Sequence, residues 1–164
     1  MRVAVAGALV LVACSSSGEP AGGEGSAGTL AGAVMGVSWT RVASAYWIGK
    51  PGAGSPPAIV FLLEAPTSCE SISVFNWDKI IGNEQVMEIG VKQATTGTFA
   101  VPAQASVAYL RGEYNPSANA GSVTFQAIQP ATRVEGSFDA AFENTADAFK
   151  GHFSATFCPT GVEP

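Results

Sequence analysis

Few side chains in this sequence could carry out acid–base or nucleophilic catalysis. His152 is the single histidine, and alternation along the last predicted strand places it on one face with Ser154. Ser137 and Asp139 fall on the corresponding face of the preceding strand. A Ser-His-Asp hydrolase needs nucleophile, base and orienting acid in hydrogen-bonded order, and nearness on a sheet does not supply that order. We therefore predict no catalytic residue, with a hydrolase whose site lies in loops as an alternative.

The acidic residues show no pattern typical of a glycosidase or a metal site. Glu135, Asp139 and Glu143 share one strand face, but a spacing of four residues separates them by about 13 Å. Glycosidases hold their two carboxyl groups about 5–9 Å apart. The sequence also contains no Cys-x-x-Cys pair, no dense Asp/Asn run for calcium and no phosphate-binding glycine loop. We expect neither a metal nor another cofactor.

The first fourteen residues have the pattern of a targeting signal. One positive charge, at Arg2, precedes an apolar run over 3–13, and Cys14 follows directly. The run is too short to span a bilayer as a helix. Residues 11–14, Leu-Val-Ala-Cys, resemble the lipobox of bacterial lipoproteins. The resemblance implies that the chain is cut before Cys14 and that acyl chains such as palmitate are attached there. An ordinary secretory signal with a chance cysteine is the alternative.

The same resemblance implies a location in the bacterial cell envelope. Ser15, rather than Asp, follows Cys14, and the sorting rule of enteric bacteria then favours the outer membrane. More than one acyl chain holds a protein stably on a bilayer. Removal of residues 1–13 takes away Arg2 and leaves 7 basic and 13 acidic residues. Attraction of the protein surface to anionic lipid is therefore not the expected anchor.

Cys69 and Cys158 remain once Cys14 is assigned to lipid. Outside the cytoplasm, an even pair of cysteines predicts a disulfide. The bridge would close a loop of about 89 residues, which the chain-entropy model values at about 4–5 kcal/mol. A redox or metal pair is the alternative, disfavoured because the chain has no Cys-x-x-Cys motif and a single histidine.

Composition excludes several other classes. The net charge is −5, from 8 basic and 13 acidic residues without a basic block, so we expect no nucleic-acid partner. Hydrophobic residues make up 47% and charged residues 13%. These proportions supply a core and exclude a disordered acidic chain or a coiled coil.

Trp39, Tyr46 and Trp47 are the candidates for contact with a ligand or partner. Tyr46 and Trp47 are adjacent, so on a strand their rings point to opposite faces. One ring would then face away from a one-sided core, where it could stack on a sugar or pack into a protein partner. The alternative is that this strand is covered on both faces, or that Trp47 closes one end of a barrel.

Short apolar runs with period two follow residue 28 and predict strands separated by turns rich in Gly and Pro. We predict an all-β domain over 29–164, an antiparallel β-sandwich or flattened barrel of about eight to ten strands. Residues 1–13 are the predicted signal peptide, and 14–28 the lipidated cysteine and a flexible Ser/Gly/Glu linker. The clearest hairpin joins 133–143 to 148–158, with five phenylalanines on one face.

Three further segments have a distinct pattern. Residues 58–64 are apolar on both faces and predict a central strand covered on both sides. Residues 68–81 contain Cys69 and predict a short helix or irregular loop. Residues 98–101 are short and precede Pro102, which places them at a sheet edge.

Several short segments resemble a group of small bacterial lipoproteins. They are the spaced glycines Gly28, Gly32 and Gly36 before Trp39, then Cys69 after an apolar strand, and the strand sequences 121–125, 134–142 and 149–158. In that group a similar β-domain follows a Gly/Ser/Glu linker and ends in a cysteine-bearing strand. The resemblance implies a fold and a location, and carries no activity.

These observations favour a non-catalytic binding or interaction module, held at the membrane by lipid on Cys14 and contacting a protein or glycan partner. A small-ligand-binding β-barrel of lipocalin or avidin type is the second alternative, and the hydrolase is the third. A ligand barrel predicts an internal pocket lined by Phe and Trp. An interaction module predicts a filled core and an exposed apolar patch.

Overall fold

The computed structural model describes residues 27–49, 58–72, 85–143 and 146–159. The predicted signal peptide and most of the predicted linker lie outside these residues. In the described chain the backbone is nearly all β, as predicted, with eleven strands and a single helical turn. In chain order the elements are β1 (Gly28–Val34), β2 (Val37–Ser38), β3 (Arg41–Val42), β4 (Ser44–Ile48), β5 (Ala58–Leu63), α1 (Cys69–Ile72), β6 (Val86–Val91), β7 (Gly97–Val101), β8 (Ala105–Leu110), β9 (Ala120–Gln129), β10 (Arg133–Ala141) and β11 (Ala148–Phe157).

Eight strands form one sheet that curls into a nearly closed barrel. Their order is β7-β9-β10-β11-β4-β5-β6-β8, so the two ends of the sheet are β7 and β8. Residues 102–104 alone connect these two strands. Since that connection reaches at most about 14 Å, the ends of the sheet must meet. The chain before β9 completes the closure, because Ala118 N donates to Val107 O at 2.7 Å. Sandwich and barrel were both open from the sequence, and the structure has the barrel-like form.

One strand pair departs from the antiparallel pattern. β11 runs parallel to β4, with Thr156 opposite Tyr46. On the same edge, residues 148–153 of β11 pair antiparallel with β1. β1 and β4 therefore pair with the same edge of β11, at successive positions along it. Alternation along each strand predicts which face is buried, but it does not predict a neighbour that is distant in the sequence.

The barrel interior is filled mainly by aromatic and branched side chains. The predicted hairpin is confirmed as β10 and β11, and four of its phenylalanines are buried: Phe138, Phe142, Phe149 and Phe153. Phe149 contacts Trp39 and Tyr109, with ring centroids 6.3 and 5.6 Å apart. Aromatic contacts of this kind add to the free energy gained by burial.

A second apolar cluster lies on the outside of the barrel. It comprises Phe61, Leu63, Ile72, Val86 and Leu110, and is called the outer cluster below. Since Val60 and Leu62 of the same strand face the interior, β5 is covered on both sides, as predicted. The helical turn α1 contributes Ile72 to this cover. The rest of the segment predicted as helix or loop, from residue 73, lies outside the described residues.

The predicted disulfide is present and fastens α1 to the end of β11. The Cα atoms of Cys69 and Cys158 are 5.6 Å apart. The loop before α1 is also held to β4 by two hydrogen bonds. Tyr46 OH donates to Thr67 O at 2.7 Å, and Thr67 N donates to Ser44 Oγ at 3.0 Å. The chain between β5 and α1 is therefore fixed against the outer side of the barrel.

Candidate functional site

The three predicted contact aromatics do not form a surface platform. Trp39 and Trp47 are 2% and 3% exposed, within the barrel interior. Tyr46 lies on the outer side, half-buried beside the outer cluster, with its hydroxyl bound to Thr67 O. The strand is thus covered on both faces, which is the alternative that the sequence left open. Trp47 Nε1 is buried without a hydrogen-bond partner, and it borders neither of the two concave surfaces described below.

His152 lies in a shallow polar groove of about 390 Å³ on the outer face of β1, β11, β10 and β9. The strand registers align its neighbours in one cross-strand row: Thr29, His152, Ser137, Thr124 and Thr98. His152 is exposed, and no hydrogen bond within the described residues joins it to Ser137 or Asp139. The structure brings the predicted groups onto one face without assembling a nucleophile, base and orienting acid.

The carboxylates of the same hairpin have ordinary cross-strand surroundings. Asp139 lies opposite Lys150 in the β10–β11 register. Glu135 forms an ion pair with Arg133 on its own strand. Exposed pairs of this kind contribute little to stability. In the described part of the chain, no group of three or more His, Cys, Asp or Glu side chains could hold a metal ion.

Glu88 is a carboxylate in apolar surroundings. It lies on β6 between Phe61 of β5 and Ala108 of β8, both of which belong to or border the outer cluster. Burial raises the pKa of the Glu88 carboxyl above its ordinary value. The cause is the loss of water around the charged form, which no partner among the described residues offsets.

Glu88→Gln should raise the free energy of unfolding at pH 7 and leave it nearly unchanged below pH 4. The raised pKa means that the folded chain holds the proton more tightly than the unfolded chain. The stability linked to this group is therefore fully present below the ordinary value of 4.5 and is lost as pH rises through the folded pKa. Partial exposure limits the gain at pH 7 to less than about 1 kcal/mol.

Urea unfolding at the two pH values measures this effect, and Glu143→Gln, at an exposed position, is the matched control. An equal gain at both pH values would show that the substitution acts through packing and not through charge.

A second groove, of about 420 Å³, opens at the end of the barrel where β1 and β8 finish. It is called the end groove below. Met35 and Tyr114 line it, with 63% and 39% of their surface exposed. They are the large hydrophobic side chains that are exposed within the described residues, and they lie together. The complete lining is Val34, Met35, Val37, Tyr109, Arg111, Gly112 and Tyr114.

Met35 occupies a costly position in a tight turn. Val34 pairs with Val37, so Met35 and Gly36 form a two-residue turn. Both have positive φ, 51° and 74°, which defines a type I′ turn that usually has Asn or Asp before Gly. Asp147 Oδ1 accepts a hydrogen bond from Met35 N at 3.0 Å and stabilises this backbone. An apolar side chain that is exposed on a left-handed backbone points to a role other than stability.

The opposite wall of the end groove is a second tight turn. Arg111 and Tyr114 exchange backbone hydrogen bonds of 2.8 and 3.1 Å around Gly112 and Glu113. Gly112 has a φ of 59°, as the first central residue of a type II′ turn requires. Both walls are therefore short and conformationally defined. Binding to them would cost little loop-ordering entropy.

Tyr109 forms the floor of the groove, and hydrogen bonds in the interior of the domain hold its side chain in place. It is 1% exposed, and its hydroxyl donates to Gln85 Oε1 at 2.8 Å. Gln85 Nε2 in turn donates to Glu64 Oε1 at 3.0 Å. Burial raises the pKa of the Tyr109 phenol, which further favours the protonated hydroxyl that donates this hydrogen bond. The lining offers apolar contact area and one cation, Arg111, but no histidine, cysteine or carboxylate.

The sequence analysis did not identify Met35, Arg111 or Tyr114. One signal was available, because a methionine directly before the glycine of a predicted hairpin turn must lie at an exposed tip. No comparable signal connects that tip with the turn at 111–114. Only closure of the barrel brings these two turns together.

The chain has no match among protein-family models, curated proteins or solved structures. Within the described residues, no helix has the length and apolar character needed to cross a membrane. Function must therefore be inferred from the geometry of the described surfaces.

Proposed function

We propose that this chain is a lipid-anchored protein of the bacterial cell envelope, whose β-domain is a non-catalytic interaction module that docks a partner in the end groove. One observation carries the docking role. Met35 and Tyr114, the two exposed large hydrophobic side chains of the described chain, line the same groove. Clustered apolar exposure on an otherwise polar surface is typical of interaction sites.

The two alternatives have weaker support. A small-ligand barrel needs interior space, but interior rings contact one another, as Phe125 does with Phe153 at 6.1 Å. The two concave surfaces described above open outward instead. A hydrolase needs an oriented base, and His152 is exposed on a sheet face without an orienting partner among the described residues.

The anchoring role rests on the lipobox pattern that ends at Cys14 and on the position of the first strand. β1 begins at Gly28, directly after the predicted linker, and ends beside Met35. Seven residues of strand place the end groove about 20 Å from the point where the linker joins the domain. The tether and the docking surface would therefore lie at different ends of β1, so that a bound partner need not compete with the membrane.

Met35→Asn should separate binding from folding. Asparagine suits the first position of a type I′ turn, so we expect the free energy of unfolding to rise by about 0.5–1 kcal/mol. The same change removes the exposed apolar side chain, so docking should be lost. A photo-crosslinking phenylalanine analogue at Tyr114, in the full chain in bacterial cells, reports docking directly. The same analogue at exposed Thr98 is the control.

The proposal requires adducts at position 114 that are absent at position 98 and that Met35→Asn abolishes in a stable protein. Adducts that persist in the Met35→Asn variant would overturn the docking role of the groove. The anchor is tested in the same cells, because Cys14→Ser should move the protein from the membrane fraction to the soluble fraction.

A further inference from the structure

We infer that the partner of the end groove is a second copy of this chain, related to the first by a two-fold axis beside the 111–114 turn. This inference rests on the docking role proposed above. A two-fold contact uses the same patch on both copies, so the patch must complement itself. The adjoining turn meets that requirement in charge, and the groove adds apolar side chains on both of its walls.

The charge complementarity comes from one turn. Arg111 and Glu113 carry opposite charges on either side of Gly112, and both are exposed. Neither forms an ion pair with another described residue. When two such turns meet across a two-fold axis, Arg111 of each copy faces Glu113 of the other, which gives two equivalent ion pairs. A turn with a single charge would repel its own copy.

The apolar side chains of the patch are free to contact a second copy. Met35 and Tyr114 lie on opposite walls of the groove, so each can pack against the second copy beside the paired turns. Met is an adaptable packing residue, and Tyr supplies a rigid ring with a polar tip. Both walls are tight turns with defined backbone, so the two surfaces can meet without rearrangement of the chain.

The arrangement suits association on a membrane. A contact made by two turns of each copy buries little surface, and interfaces of that size are weak in solution. Two copies anchored in one bilayer are held at a high effective concentration, so a weak contact suffices. A lipid headgroup is a poorer occupant, because the groove offers one cation and lies at the far end of β1 from the predicted tether.

The mass of the adduct formed by the Tyr114 photo-crosslinker decides the identity of the partner. An adduct with twice the mass of one chain, absent with the probe at Thr98, is the expected result. Groove-specific adducts of another mass would overturn the second copy as partner and leave the docking role intact. No adduct beyond the Thr98 control would overturn both.

Charge reversal tests the two-fold geometry. Arg111→Glu alone and Glu113→Arg alone should each lower the yield of the dimeric adduct about tenfold, because each places like charges opposite one another. The double variant Arg111→Glu/Glu113→Arg restores opposite charges across the axis and should recover the yield. Arg133 and Glu135 form an exposed ion pair elsewhere on the domain. Reversal of both of these charges is the matched control and should leave the yield of the dimeric adduct unchanged. If the double variant gave as little dimeric adduct as the single variants, the two-fold pairing would be overturned.

Discussion

Replacement of both Cys69 and Cys158 by alanine should lower the free energy of unfolding by about 4–5 kcal/mol, the value that loop entropy assigns to this bridge. The bridge closes a loop with a sequence separation of 89 residues. Without it, the unfolded chain gains the freedom of that whole loop. Since small domains are stable by about 5–15 kcal/mol, this loss would leave the domain close to unfolding at growth temperature.

Urea unfolding of the oxidised protein and the double variant measures this loss directly. The double variant is the proper comparison, because a single replacement would leave a buried free thiol at Cys158. Hydrogen exchange adds a second test, in which the amides of β9 and β10 that exchange through global unfolding should lose protection by the same free energy. A loss below about 1 kcal/mol would contradict loop entropy as the main contribution of this bridge.

Phe149→Ala should lower the free energy of unfolding by about 3–5 kcal/mol. Phe149 is 1% exposed and contacts Trp39 and Tyr109, so its loss leaves a cavity between two large rings that cannot close easily. Near-ultraviolet circular dichroism should also weaken, because these rings would lose their fixed environment. Urea unfolding of the variant and the original protein measures the change in the free energy of unfolding.

Phe157→Ala is the matched control on the same strand. Phe157 is half-buried and contacts Trp47 at 5.0 Å, at the end of β11. Its removal deletes the same atoms with less burial, so the loss should be about 1–2 kcal/mol. Equal losses at both positions would contradict the view that Phe149 is central to the core.

Local patterns in the sequence predicted the parts of this fold that depend on local chemistry. Alternation placed Phe138 and Phe149 on one face, and both are buried. The short segment before Pro102 was predicted as an edge strand, and β7 pairs with β9 alone within the described sheet. The bridge between Cys69 and Cys158 was predicted from an even pair of cysteines in a chain expected to lie outside the cytoplasm.

Features that depend on curvature could not be predicted in the same way. Period two assigns a face to each residue, but the radius of the sheet decides whether Trp47 is covered and which turns meet at the barrel end. The end groove combines a turn at residue 35 with one at residue 112, and no local signal connects them. The parallel pairing of β11 with β4 could not be predicted for the same reason, because the two strands are far apart in the sequence and no local signal connects them.

The pairing of β1 with β11 also determines how the domain would bear mechanical load. Six residue pairs join these strands, from Gly28 opposite Phe153 to Ala33 opposite Ala148. Antiparallel hydrogen bonds run perpendicular to the strands. Tension applied at Gly28 through the proposed tether, and resisted by the rest of the barrel through β11, would act along β1. The ladder would then be sheared as a whole instead of being unzipped bond by bond. The disulfide at Cys158 anchors the end of β11 to the barrel wall, so the strand that carries this force is itself covalently braced.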